Sequence, residues 1–287
     1  MNRRTALQST LIGLGTLGLS SAVRATDTAT QTSGLAPVNH STCKWCYSDI
    51  PLEVLCERGQ DIGLRSIELT TVDDWPTLKR YNMTCAMGTL KEFSIENGWN
   101  DPANHEKLRE AYTRAIRDAA DHGIQNMIVM SGNRRGMSDY DGMVNCAVGL
   151  RPMVELAEEA GVTLQMELLN SKVNHPDYMC DHTSWGVALA EMINSDRFKL
   201  LYDIYHMQIM EGDIIATIRK YQDYIGHYHT GGVPGRNEIN DSQELNYPAI
   251  IRAIQETGFT GYVAQEFIPT YEDKIRALAE GIEICTV

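Results

Sequence analysis

Eight times over, the chain alternates a short apolar run with a longer stretch whose apolar residues recur at helical spacing, and few folds accept that rhythm. The strand-like runs are 40–48, 66–70, 83–87, 126–131, 163–168, 199–203, 224–229 and 262–267. Amphipathic segments separate them, clearest at 52–62, 104–122, 141–160 and 248–256. Asp101-Pro102 stands just before the second of these, and Gly123 and Gly161 close the second and third, where start and stop signals belong. This alternation predicts an α/β protein, a single parallel (β/α)8 TIM barrel, and 287 residues require no second domain. An open doubly wound sheet would want a glycine-rich phosphate turn after a strand. The cluster Gly231-Gly232-Val233-Pro234-Gly235 contains a proline and precedes no clear helix.

The first residues follow other rules. Arg3 and Arg4 precede an apolar run, 11–19, and small residues then lead to Ala25 with Val23 two positions before it. The run is too short to span a bilayer and is diluted by Gly13, Gly15 and Gly18, so residues 1–25 read as a signal peptide with a twin-arginine start. A Sec signal and a retained anchor are the alternatives, because Ala6 stands where the twin-arginine pattern usually carries a bulky apolar residue. Residues 26–39 are small and polar and suit a flexible linker, leaving 40–287 for the barrel. The expected location is periplasmic or otherwise exported, with membrane contact only through the signal.

Charge narrows the partners. The formal net charge is −13, and removal of residues 1–25 would take away three arginines and no acid, giving −16. Such a surface repels phosphate backbones and anionic lipid, which disfavours nucleic-acid binding. The seven cysteines are an odd number, so at least one is expected free. Cys43-Lys44-Trp45-Cys46 has CxxC spacing, but no second pair exists and the segment reads as strand.

In a barrel of this kind the site forms at the C-terminal strand ends. Four runs end in polar residues: Gln165-Met166-Glu167, Leu201-Tyr202-Asp203, His227-Tyr228-His229 and Ala264-Gln265-Glu266. Three carboxylates at one rim repel unless a cation intervenes, and one imidazole with oxygen donors suits Mn²⁺, Mg²⁺ or Co²⁺. His206 lies three residues after Asp203, so it can join them only if the strand ends at Asp203. Arg236 could clamp a carboxylate through its planar fork; the alternative is a surface ion pair near Glu238. The insertion 171–183 carries His175, Asp177, Cys180, Asp181 and His182, whose spacing fits no standard metal site; it reads as a substrate-covering loop. Trp45, Trp75 and Trp99 are left between an apolar wall and core packing.

The same residues carry a resemblance. Met166-Glu167-Leu168-Leu169-Asn170, Tyr202-Asp203-Ile204-Tyr205-His206, His229 through Arg236, and Gln265-Glu266-Phe267 resemble the xylose-isomerase-like barrel superfamily, nearest to the hydroxypyruvate isomerases. The resemblance covers nearly all of 40–287. It implies that Glu167 and Glu266 are both metal ligands and the acid/base pair. It implies also that Asp203 and His229 complete the metal sphere, and that His206 and Arg236 hold substrate. His229 departs from the glutamine common in hydroxypyruvate isomerases and matches the related ketose 3-epimerases.

The expected function is therefore a metal-dependent isomerase of a small keto acid or sugar, with hydroxypyruvate to tartronate semialdehyde as the implied reaction. A ketose 3-epimerase is the alternative, and a non-catalytic periplasmic sugar-binding protein the alternative of another class. Endonuclease-type phosphodiester cleavage would want more histidines and a basic face. A homodimer or homotetramer is expected.

Overall fold

The computed structural model describes residues 35–92 and 94–287; the expected signal, 1–25, and residues 26–34 of the expected linker lie outside the described residues. β1 (Asn39–Cys43) begins inside the stretch expected to be linker, and Val38 before it is already buried. The remaining strands are β2 (Ser66–Glu68), β3 (Asn126–Val129), β4 (Thr163–Glu167), β5 (Phe198–Asp203), β6 (Ile225–Thr230) and β7 (Tyr262–Gln265). They pair in parallel in the order β2-β1-β7-β6-β5-β4-β3, one curled sheet.

The sequence predicts eight strands; among the described residues seven form. The missing run, 83–87, is buried and apolar as a strand should be, and it lies between the two sheet edges. Thr84 exchanges backbone hydrogen bonds with Arg65 and Ile67, while Gly88 does the same with Asn126 and Ile128. Between them side chains replace the ladder: the Ala86 N–H donates to Ser66 Oγ (2.8 Å) and its carbonyl accepts from Asn126 Nδ2 (2.9 Å). Leu69, at φ 53°, also turns the chain out of strand geometry directly after β2.

The longest helices match their apolar spacing. α3 (His105–His122) and α4 (Asp139–Ala160) both end on a left-handed glycine, Gly123 and Gly161, which closes the last turn without a Cβ clash. α1 (Leu52–Asp61), α2 (Trp75–Arg80), α5 (Thr183–Ile193), α6 (Ile204–Met210), α7 (Ile214–Tyr221), α8 (Tyr247–Glu256) and α9 (Lys274–Ile284) are the other helices of the described residues. None is long and apolar enough to cross a membrane.

The first strand is shorter than the sequence suggests. It stops at Cys43, and Lys44–Tyr47 forms a 3₁₀ turn, so the CxxC spans a strand end and a turn. All seven cysteines are free and buried. Trp75 and Trp99 are core residues, whereas Trp45 is 41% exposed.

Beyond β3 the chain crosses itself closely at Gly98. A Cβ there would lie 2.3 Å from the Gly132 nitrogen and 2.4 Å from the Met130 oxygen, both backbone atoms that cannot rotate away. Gly98→Ala is expected to destabilise the protein by about 1–3 kcal/mol, seen as a lower urea midpoint with an unchanged slope.

Candidate metal centre and active site

Glu167 ends β4, Asp203 ends β5, His229 is the penultimate residue of β6, and Glu266 follows β7. Parallel register sets Asp203 level with His229 and His229 level with Ala264, so the side chains converge from neighbouring strands. One donor atom from each of the four lies within 4.8 Å of the others, and all four residues are buried. These are the four residues that the sequence nominates as metal ligands.

The ring of His229 has two distinct edges. Nδ1 faces the acids, 2.9 Å from Glu266 Oε2 and 3.4 Å from Glu167 Oε1. Nε2 faces away, 2.8 Å from Glu68 Oε1. Glu68 ends β2, and its Oε1 also meets His227 Nε2 at 2.8 Å.

β5 does end at Asp203. Its side chain accepts from the His206 N–H (2.9 Å) and caps α6, so the chain turns into a helix where a strand would have carried His206 to the other face. His206 Nδ1 accepts from the Asn170 N–H (3.0 Å), which leaves the proton on Nε2. That Nε2, fully buried and 3.7 Å from Asp203 Oδ2, has no hydrogen-bond partner.

Arg236 is placed by backbone as much as by charge. It has φ 59°, its N–H bonds the Gly232 carbonyl, and its side chain is 11% exposed. Nη2 donates to Glu266 Oε2 (2.6 Å) and lies 3.5 Å from Asp203 Oδ2. The surface pair with Glu238 does not form; Glu238 instead accepts from the Thr270 N–H and hydroxyl. The guanidinium lies 5.1 Å from the Trp45 ring and 5.4 Å from the Tyr205 ring, and Trp45 Nε1 donates to Glu266 Oε1 (2.8 Å).

The insertion 171–183 forms no second metal cluster among the described residues. Asp181 is taken by Arg134 (2.8 Å), Ser171 and His182, and Asp177 accepts from the Arg135 N–H. The His175 ring sits 5.3 Å from that of His206, which puts this loop beside the site.

Protonation follows from burial and neighbours. Burial raises Glu167, with Glu266 adding to it, and raises Asp203 well above the carboxylate range despite Arg236. Burial also pushes Glu266 upward, but Arg236 and His229 outweigh it and hold the group well below that range. Burial opposes charge on His229, yet Cys43, Glu266 and Glu167 raise the ring well above an ordinary histidine. Cys43 is itself kept a neutral thiol by burial, so the glutamates are the effective partners. His206 is driven low by burial, helped by Arg236, and stays neutral.

The residues fit a divalent cation. Glu167 Oε1 and Asp203 Oδ2 are buried with no hydrogen-bond partner, and Arg236 and His229 are two cationic groups against the three acids Glu167, Asp203 and Glu266. Three oxygen donors and one imidazole nitrogen suit Mn²⁺, Mg²⁺ or Co²⁺. Sequence reasoning singled out neither Glu68 nor His227, and it left Trp45 unassigned. The readable signals were an acid inside an apolar strand and a histidine two residues before His229, on the same strand face.

Residues 58–285, from within α1 to just past α9, match one family pattern. The chain belongs to the xylose isomerase-like TIM barrel family. Among xylose isomerase-like relatives, the putative hydroxypyruvate isomerase of Homo sapiens is 26% identical over 231 residues, covering 78% of this chain and 77% of that one. The 2-oxo-tetronate isomerase of Cupriavidus necator is 30% identical over 171 residues, covering 58% and 64%. Both are named isomerases, the enzyme class that the sequence predicts. A solved L-ribulose 3-epimerase superposes with a TM-score of 0.72 at 17% identity, covering 86% of this chain and 93% of that one, a likeness of fold.

Metal ligands bind in their deprotonated forms, so a cation entering the site competes with protons for His229, Asp203 and Glu167. Protons released on binding mean affinity that rises with pH. Mn²⁺ titration by calorimetry should show proton release and an affinity that rises with pH; a pH-independent affinity contradicts this.

Proposed function

We propose that the protein is a metal-dependent isomerase that moves a proton between adjacent carbons of a small hydroxy-keto acid, with hydroxypyruvate to tartronate semialdehyde as its reaction. The observation that supports this most is that Glu167 and Glu266 both approach His229 Nδ1, at 3.4 and 2.9 Å, while the Arg236 guanidinium pairs with Glu266 and the unpartnered His206 Nε2 lies 3.7 Å from Asp203. Glu167, Asp203, His229 and Glu266 hold the cation, and bound there it supplies positive charge against the developing oxyanion.

The protein's own groups do the rest. One glutamate removes the proton from the hydroxyl-bearing carbon, the electron pair passes into an enediolate, the hydroxyl proton moves to the former carbonyl oxygen, and the other glutamate delivers a proton to the carbon that bore that oxygen. Arg236 pairs with the substrate carboxylate through its planar fork. The proton on His206 Nε2 binds a substrate oxygen, satisfying a donor that is otherwise orphaned in the interior. Trp45 and Tyr205 flank the guanidinium and shield its pairing from water.

A ketose 3-epimerase is the second reading, favoured by His229, which matches those enzymes where hydroxypyruvate isomerases commonly carry glutamine. Both reactions use the same two glutamates and differ in which carbon faces them.

Solvent deuterium exchange separates these readings. With Mn²⁺, residues 26–287 are expected to exchange the C3 protons of hydroxypyruvate, with loss of about 10²–10⁴-fold in Glu167→Gln and in Glu266→Gln. Arg236→Lys should raise KM more for hydroxypyruvate than for an uncharged ketose. Exchange into ketoses alone would favour the epimerase, and ligand binding without any exchange would favour a sugar-binding protein.

We infer also that the protein is exported through residues 1–25, on the strength of Arg3-Arg4, the apolar run 11–19 and the small residues up to Ala25. Twin-arginine export carries folded proteins, so the cation could be loaded before transport. The paired substitutions Arg3→Lys and Arg4→Lys should abolish secretion; unchanged secretion would rule that route out.

A further inference from the structure

Beneath the four candidate ligands lies a second buried polar layer whose members the reaction does not touch. Glu68, on β2, reaches His227 and His229, on β6, three places away along the sheet. At about 4.8 Å per strand a flat sheet would hold these strands about 14 Å apart, so the contact exists only because the sheet curls. All three side chains are essentially inaccessible to solvent.

One oxygen does the work. Glu68 Oε1 accepts from both Nε2 atoms at 2.8 Å, while Oε2 has no partner. The two imidazoles pack edge to face, 5.2 Å between centroids at 81°. At 2.8 Å the Glu68 oxygen offers Nε2 its lone pairs, so the ring hydrogen belongs on that edge; a bare nitrogen lone pair there would face another lone pair.

We propose that Glu68 is a positioning residue for the cation: by fixing hydrogen on Nε2 of His229 it presents the Nδ1 lone pair to the site, and His227 locks Glu68 in that pose. The assignment rests on the cation-holding role proposed above for His229. Among the described residues the Glu68 side chain hydrogen-bonds to His227 and His229 alone, so its influence on the site runs through the His229 ring. A carboxylate behind a ligating imidazole also makes the nitrogen a stronger donor.

The test reads cation binding without turnover. Co²⁺ is titrated into the full barrel, residues 26–287, by calorimetry, and the visible absorption of the bound ion is recorded. Glu68→Gln, nearly isosteric, keeps an acceptor but loses the charge; affinity should fall by about 10–100-fold with an altered Co²⁺ spectrum. His227→Gln should weaken binding in the same direction but less, and the double variant should be no worse than Glu68→Gln. If Glu68→Gln does not fold, Glu68→Asp takes its place: its shorter arm draws the carboxylate away from Nε2, so Co²⁺ affinity should fall by up to about 10-fold with an altered spectrum, and wild-type values in Glu68→Asp would overturn the proposal.

Wild-type affinity and spectrum in Glu68→Gln, even with a lowered Tm, would reduce Glu68 to a structural role and overturn the proposal. Failure of the wild-type protein to bind Co²⁺ would overturn both this and the site assignment beneath it. Wild-type binding without proton exchange would sink the isomerase reading alone, and the affinity ratio would still decide Glu68.

Discussion

Negative charge buried at one end of the sheet is the constraint on which the rest depends. Glu167, Asp203 and Glu266 crowd within reach of a single imidazole, and Glu68 lies directly behind it. Carboxylates removed from water and set against one another are costly unless protons, cations or hydrogen bonds compensate them. The protein uses all of these: Arg236 and His229 hold Glu266 low, burial strengthens the hold of Asp203 and Glu167 on their protons, and Glu68 rests between two histidines. A site so arranged fits a divalent cation, whose charge would compensate the crowded acids.

Local backbone choices serve that cluster. Ending β5 at Asp203 makes one carboxylate both a helix cap and a donor to the site, and it turns His206 inward. A left-handed residue at Arg236 sends a long cation back toward Glu266, although the neighbouring Glu238 offered a simpler partner. The 3₁₀ turn after β1 carries Trp45 over the same carboxylate. Each device is short, and none would be stable as an isolated peptide; the packed sheet beneath holds them.

The fold itself is shared by isomerases and epimerases, and a barrel-like scaffold does not choose between them. What chooses is the set of loops at the C-terminal strand ends. Here the loop 171–183 is tied down by Asp181 and Asp177 through Arg134 and Arg135, and it sets His175 beside His206. Those ties make the loop a wall of the site, with its acids spent on structure.

By itself the sequence determined the strand–helix alternation, the stop signals at Gly123 and Gly161, and the four residues that converge, because period and position along a strand are local properties. It left open whether β5 stopped at Asp203, since that depends on a cap formed only once the chain turns. The 83–87 run had strand composition, yet Ser66 and Asn126 side chains took the hydrogen bonds that a continuous ladder would have used. Glu68 could not be read as the partner of His227 and His229: it stands 159 and 161 positions from them in the chain, and only the curl of the sheet brings them together. Long-range pairing across a curled interior is a property of the whole fold, and no window of sequence encodes it.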